Sequence, residues 1–482
     1  MRERITTSER DGGVVGGRQE LFPKVIHIGL SEATLSRLDD LADRAARQGF
    51  SHLCVGGAFH ATSSGLVRDH ERSAFEGVSA ASLIERLRRA CSSRGLILGI
   101  DVVLDRIAAN GTSATALGSA YLVSPGLGAL DPRQTARAVE TARLQPGAAV
   151  PAAEWWARTL DSLEAAGAGA FLLRGLPGLP PYFTRFMTGA RRGSAALLAW
   201  TPGLDWSRHG ELADCGLAAV FASTCWWDGR SPWYAEECTA LARLAPVIGA
   251  ATPPSGEGPA TKGHALPRHL RLAAATTDGL FVAADAFANA TPCRASSALV
   301  EAVALADRLS GRRTRGGLRT LTGPGSPITI LLRPDIAGPR PSRGLAVLFN
   351  AGGTPQAVHL PAGCLPPTAG TAFAVQGVCP DRLAPGEVAV VDVATTEPIV
   401  SSSGKAGLRR GAKEAARQTP LVIDQVQPTV SGGPFAAKHI VGRPLVIEAD
   451  VFADGHDLLA AEIRWWPDDC SEPSPVPLVP VG

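Results

Sequence analysis

The apolar run LILGIDVVLDRIA, Leu96 to Ala108, carries Asp101, Asp105 and Arg106 at its far end. Carboxylates gathered where a buried strand meets solvent can serve as acid, base or nucleophile, or hold a hard cation or the hydroxyls of a sugar. Asp105 beside Arg106 is expected to form a structural ion pair, and Asp101 is the candidate substrate-binding carboxylate. A second set is aromatic. Trp200, Trp206, Trp226, Trp227 and Trp233 could stack on sugar rings or pack loops against a core, and Trp200, Trp226 and Trp227 are taken as binding candidates. His60, Asp69 and His70 fall in one long loop, which is expected to be solvated. Trp155 and Trp156 sit at helical spacing and are expected to pack a helix.

These groups need a scaffold, and the chain's alternation supplies one. KVIHIGL, HLCVGGAF, LILGIDVVL, AFLLRGL, AALLAWTPG, LAAVFAST, APVIGAATPP and GLFVAAD read as short buried strands with amphipathic segments between most of them. That is the pattern of βα units closing into a barrel of about eight parallel strands, with function at the strand C-termini. Ser31 is the expected N-cap and Gly49 the expected stop of the first helix, over residues 31–49. Near Gly311 the pattern changes to SPITILLRPD, GLAVLFNAGG, QAVHLPAG and GEVAVVDV, short strands divided by Gly/Pro-rich turns, as in a small antiparallel β-sandwich.

The expected fold class is α/β: a (β/α)8, TIM-type barrel, then the sandwich, then a partial β-sandwich segment. The boundaries read as a leader at 1–22, barrel at 23–311, sandwich at 312–394, linker at 395–419, β segment at 420–467 and Pro-rich tail at 468–482.

Composition narrows the function classes. A net charge of +2 across 482 residues, with basic residues scattered, argues against nucleic acid as a partner. The nine cysteines form no Cys-x-x-Cys pair, so neither a disulfide framework nor a zinc site is indicated, and reduced thiols in a cytoplasm are expected. No apolar run approaches the roughly 20 residues of a bilayer span, so no membrane partner is expected. GGVVGG precedes every predicted element and makes no phosphate loop; no metal or cofactor is expected.

A barrel followed by a small sandwich is the layout of the α-amylase family of glycoside hydrolases. LIERLRRACSSRGLILGIDVVLDR resembles that family's helix, Arg-Gly turn and third strand ending in Asp-x-x-x-Asn-His: Asp101 matches the Asp, and Asp105-Arg106 replaces the Asn-His pair. SGGPFAAKHIVGRPLVIEADVFADGHDLLAAEIRW is similar to the opening of the N-terminal β-sandwich of the maltosyltransferases that extend α-1,4-glucan from maltose 1-phosphate. That resemblance implies a structural or interface role for Lys438, His456 and Asp457, and the resemblance to α-amylases, which build part of their sugar site from the loop after the second strand, adds His60 to the binding candidates.

The family's chemistry requires two carboxylates about 5 Å apart on either side of the sugar C1. By resemblance, AGAGAFLLRGL puts Leu172 and Arg174 at the Arg and the nucleophilic Asp of Phe-Arg-x-Asp. AWTPG puts Trp200 at the acid/base position, and GAATPPSGEG puts Pro254 and Ser255 at the His-Asp pair. A guanidinium cannot attack an anomeric carbon, and an indole N–H has no proton to give near neutral pH.

The expectation is therefore a module without catalytic residues, serving α-glucan metabolism by binding glucan or maltooligosaccharide or by scaffolding a maltosyltransferase. An active glycosyltransferase or glycosidase and a purely structural dimerisation domain are the alternatives. The possible partners are α-glucan, a maltosyltransferase domain or a second copy of the chain.

Overall fold

The computed structural model describes residues 23–123, 140–254, 265–287, 292–309, 317–323, 325–335, 343–358, 360, 364–368, 371–395, 421–428, 437–440, 445–453, 459–466 and 474–479. The leader at 1–22 and all of the linker except Thr395 lie outside them.

Eight strands, β1 Lys24–Gly29, β2 His52–Gly56, β3 Ile97–Val103, β4 Ala170–Arg174, β5 Ala196–Ala199, β6 Ala219–Ala222, β7 Val247–Ala250 and β8 Gly279–Ala283, close in sequence order into a barrel. All eight pairings are parallel, and β8 closes onto β1 through Lys24–Leu280 to His27–Ala283. The strands are apolar on both faces because both are buried. Val25, Cys54, Leu172, Leu198, Phe221, Ile248 and Phe281 fill the interior, while Ile26, Leu53, Ile100, Phe171, Leu197, Val220 and Leu280 belong to the larger core shared with the helices.

The longer helices are α1 Leu38–Arg47, α2 Ala80–Ser92, α3 Ala149–Ala165, α4 Phe183–Ala190, α5 Trp233–Leu241, α6 Leu266–Thr276 and α7 Pro292–Leu309. Ser31 does cap a helix, with Thr34 completing a reciprocal capping box, but that helix covers only Glu32–Ser36. Arg37, at φ −109° and ψ 18°, breaks it, and α1 starts afresh at Leu38. Gly49 ends the segment at φ +82°, a conformation in which a β-carbon is strained.

β9 Arg319–Thr320, β10 Thr329–Pro334, β11 Arg343–Phe349, β12 Cys364–Thr368, β13 Thr371–Gln376 and β14 Val388–Thr395 form one antiparallel sheet in the order β9-β10-β11-β14-β13-β12. The stretch expected as a strand at QAVHLPAG contributes only Gln356–Ala357, paired with Arg382–Leu383. Leu331, Val347 and Phe349 on one sheet face join the barrel's outer core, and Ile330, Leu332, Leu348 and Phe373 on the other form a core of their own.

Arg333 of β10 fastens the sheet to the barrel. It donates to the carbonyls of Ala275 and Thr277 at the end of α6 and to Asp278 Oδ1 at 3.0 Å. These carbonyls are left over by the helix, so the guanidinium is both C-cap and ion-pair partner.

Residues 397–482 are a separate compact unit. Leu421–Gln427 pairs with Glu448–Ala453, and Glu462–Trp465 with Ser474–Pro477. Val422, Ile423, Phe452 and Trp465 are exposed on these hairpins. Lys438 is described, whereas His456 and Asp457 lie outside the described residues.

Candidate functional site at the barrel mouth

Strand alternation decides which side chains meet inside the barrel. On β1 Val25 points inward and so does His27; on β3 Leu98, Ile100 and Val102 face the helices, which turns Asp101 inward; on β4 Leu172 and then Arg174 do the same. His27, Asp101 and Arg174 therefore meet near the C-terminal ends of their strands. Arg174 Nε donates to Asp101 Oδ1 at 2.6 Å, and His27 Nε2 lies 3.0 Å from Asp101 Oδ2. Both carboxylate oxygens are engaged, and the Asp101 side chain is 2% exposed. Burial pushes the Asp101 carboxyl up, but attraction to Arg174 and the bond with His27 outweigh it and hold the group below the ordinary carboxylate value.

β2 accommodates this cluster by having no side chain there. A β-carbon at Gly56 would lie 3.0 Å from the His27 ring and 3.2 Å from Asp101 Oδ2.

Across the interior, Trp200 packs on Phe221 at 5.0 Å and Phe281 at 5.3 Å between ring centroids. It is 6% exposed, so it fills the barrel rather than lining an open cleft. Trp227 is enclosed as well. At 2% exposure it stacks on Tyr234 at 4.6 Å, donates from Nε1 to the Ser231 carbonyl, and faces Phe349 of the sandwich. Its face is spent on holding a loop between barrel and sheet. Trp233 meets Tyr234 edge-on, while Trp226, edge-on to Trp200 at 6.3 Å, and Trp206 are 43% and 46% exposed.

Asp105 is bound as expected by Arg106 Nη1, at 2.9 Å, and also by Arg143 Nη1 at 3.3 Å. Burial raises its carboxyl above the ordinary value despite both guanidiniums. Pro254 is buried after β7, and Ser255 lies outside the described residues.

The loop after β2 departs from the solvated reading. His60 is half-buried in the hairpin Phe59–Ala61 with Val67–Ser73, opposite Asp69. His70 is 4% exposed, hydrogen-bonded through Nδ1 to Ser113 Oγ at 2.8 Å and boxed by Phe59, Trp155 and Trp156 at 5.1, 5.5 and 4.9 Å. Trp156 in turn donates from Nε1 to the Tyr121 hydroxyl at 2.8 Å.

His27 and Arg143 were not foreseen from sequence. The period-2 alternation in KVIHIGL held the signal for His27, since a residue two beyond inward Val25 shares its face. Among the described residues, no group of three or more His, Cys, Asp or Glu is placed to hold a metal ion, and no helix is long and apolar enough to cross a membrane.

Residues 419–482 match the family model for α-1,4-glucan:maltose-1-phosphate maltosyltransferase, domain N/S. A maltosyltransferase of that name from Burkholderia pseudomallei is 29% identical over 494 residues, covering 88% of this chain and 43% of the relative. The chain thus spans less than half the length of that relative. The enzyme of the same name from Myxococcus xanthus is 46% identical over 45 residues, 9% of this chain and 7% of the relative.

Among solved structures, the α-amylase of Geobacillus thermoleovorans in complex with acarbose matches with TM-score 0.53 and 12% identity, over 78% of this chain and 99% of its own. An α-glucosyl transfer enzyme matches with TM-score 0.55 and 13% identity, over 79% and 100%. At these identities the structures establish the fold. The chain carries a barrel of the fold seen in α-amylases, followed by a segment similar to part of a maltosyltransferase N/S domain.

Proposed function

We propose that this chain is a non-catalytic α-amylase-like module of α-glucan metabolism, acting in the cytoplasm by binding glucan or by scaffolding a maltosyltransferase. The observation that carries this reading is the closure of Asp101 by Arg174 at 2.6 Å and His27 at 3.0 Å. Retaining transfer needs one carboxylate free to attack and a second free to protonate. Here a fixed cation stands beside the inward carboxylate and opposes the positive charge that develops on the sugar in the transition state. Trp200 fills the interior against Phe221 and Phe281, so a pyranose has no seat there without displacing the indole.

The relatives' name bears on the substrate class: they are maltosyltransferases named for α-1,4-glucan and maltose 1-phosphate. The alternative reading, an active transferase, draws on the same resemblance and requires a second carboxylate facing Asp101.

The test is direct. Purified chain is incubated with maltose 1-phosphate and glycogen, and phosphate release is followed. No release above the blank is expected, whereas release that disappears in Asp101→Asn would overturn the non-catalytic reading.

A further inference from the structure

The chain holds three asparagines, and of these Asn110 alone is followed by glycine. Asn110 is exposed, in the turn between the strand Arg106–Ala108 and the helix Thr112–Leu117. Both sides of that turn are anchored: Ala109 donates its N–H to the Glu140 carbonyl at 2.9 Å, and Thr115 donates to the Gly111 carbonyl at 3.1 Å. Among the described residues the Asn110 side chain has no hydrogen-bond partner, so its amide can swing over the following peptide. The Gly111 N–H is held by the Ala108 carbonyl at 3.3 Å, beyond the usual length of such a bond. Asn350 is the opposite case. It is fully buried, its Nδ2 donates to the Thr354 and Leu383 carbonyls, and its Oδ1 accepts from the Gly352 N–H.

Glycine is required at 111 by packing and not by backbone angle. At φ −99° any residue could follow the chain path, but a β-carbon would lie 2.2 Å from the Arg68 carbonyl oxygen and 2.5 Å from Arg68 Cα. The strand Val67–Ser73 of the β2 loop therefore lies directly against this turn. The helix holds it there: Thr112 Oγ1 donates to the Arg68 carbonyl at 3.3 Å, and Ser113 Oγ accepts the His70 N–H at 3.2 Å and bonds with His70 Nδ1 at 2.8 Å. The same close approach leaves the Gly111 nitrogen without the side chain that ordinarily shields a peptide nitrogen from its neighbour.

We infer that Asn110 is a site of spontaneous succinimide formation, and that its isoaspartyl product loosens the strand Val67–Ser73 from the helix Thr112–Leu117. Asparagine is thermolabile for this reason. The Gly111 nitrogen gives its proton to solvent base and attacks Asn110 Cγ. The new N–C bond closes a five-membered ring, the bond from Cγ to Nδ2 breaks, and ammonia leaves. Water then opens the ring at either carbonyl and leaves Asp or isoaspartate at 110; water is the other reactant, and nothing is oxidised or reduced. Opening at the main-chain carbonyl routes the backbone through the former side chain and lengthens it by a methylene. The turn joins an anchored strand to a helix that closes on Arg68 with no room to spare, so the added length displaces Thr112 and Ser113 from Arg68 and His70.

The experiment ages the purified full chain in mildly alkaline buffer and compares tryptic digests with an unaged sample by mass spectrometry. Peptide 107–133, in which Asn110 is the one asparagine, is expected to gain the mass difference between an amide and an acid. It should split into two isomers, one of which accepts a methyl group from an isoaspartyl methyltransferase, while the peptide carrying Asn350 stays unchanged. Asn110→Gln, whose side chain would have to close a larger ring, is expected to remain unmodified. Aged native chain is expected to be cut by trypsin after Arg68 and Arg72 sooner than fresh chain, with aged Asn110→Gln as resistant as fresh. Absence of the mass gain in the folded chain overturns the site, whatever the urea-unfolded chain does. Modification that leaves cleavage after Arg68 and Arg72 unaltered overturns the coupling to the strand.

Discussion

Arg174 stands diagonally across from Asp101: in the parallel register Asp101 is level with Leu172, and Arg174 lies two residues further along the neighbouring strand on the same face. The two side chains are therefore brought together by the pleat itself, and no loop has to fold correctly for the contact to form. Removing one partner leaves the other as a buried charge, which costs far more than the pair contributes in balance.

Arg174→Met is accordingly expected to destabilise the chain by roughly 3–5 kcal/mol, because it takes the guanidinium away from a buried carboxylate and leaves His27 beside it. Urea unfolding followed by far-ultraviolet circular dichroism measures this. A loss under about 1 kcal/mol would show that Asp101 finds another partner. Arg174→Asp is expected to be worse still, since two carboxylates would then compete for the same interior.

Acid sensitivity follows from three buried histidines. Burial pushes His52, His70 and His269 down to about 4. An unfolded histidine titrates near 6.5, so between these values the unfolded chain binds more protons than the folded one. Stability is complete above about pH 6.5 and falls as pH drops toward 4, by on the order of 2–3 kcal/mol per histidine at most. Asp101, held below the ordinary carboxylate value, adds its own loss only under about pH 4. Thermal midpoints from pH 8 to 4 trace the curve, and His70→Gln should flatten part of it; an unchanged slope would remove His70 from the account.

Arg333→Met is expected to loosen the sandwich from the barrel. It removes the guanidinium from the Ala275 and Thr277 carbonyls and from Asp278 Oδ1, in a pair whose side chains are 2% and 5% exposed, and leaves Asp278 Oδ2 with the Val247 N–H. The loss should again be roughly 3–5 kcal/mol. Calorimetry should show the single transition broaden or divide, and a double-mutant cycle with Asp278→Asn should return a coupling energy of at least about 1 kcal/mol. Independent, additive effects would contradict the staple.

Gly175→Ala should fail through collision. At φ +83° a β-carbon there would come 2.1 Å from Asp105 Oδ1, and one at Gly178 would come 2.6 Å from Asp105 Oδ2. The expected cost is more than about 1 kcal/mol at Gly175, where strain and overlap combine. A melting temperature equal to the parent's would mean the β4 loop can move away from Asp105.

All eight barrel strands were legible because each is a compact apolar run, buried on both sides and bounded by polar or glycine-rich sequence. The same double burial obscures the interior: in KVIHIGL the two-residue alternation puts His27 on the face of Val25, but with both faces apolar the sequence does not say which of them lines the barrel. Loops were harder. Trp226 and Trp227 are adjacent, yet one is 43% exposed and the other 2%, a difference made by Tyr234 and Phe349 from distant parts of the chain. His70 and Asp69 likewise look alike as loop polar residues, and only the packing of α3 against the hairpin buries the histidine. The break at Arg37 is not legible in the sequence because the apolar spacing continues across it.

The aromatic box around His70 also has an optical meaning. An imidazolium accepts electron density from an excited indole far better than a neutral imidazole does, and His70 lies against both Trp155 and Trp156. Emission from these two tryptophans should therefore dim as His70 gains its proton, giving the fold an internal dye whose brightness reports the state of one buried nitrogen.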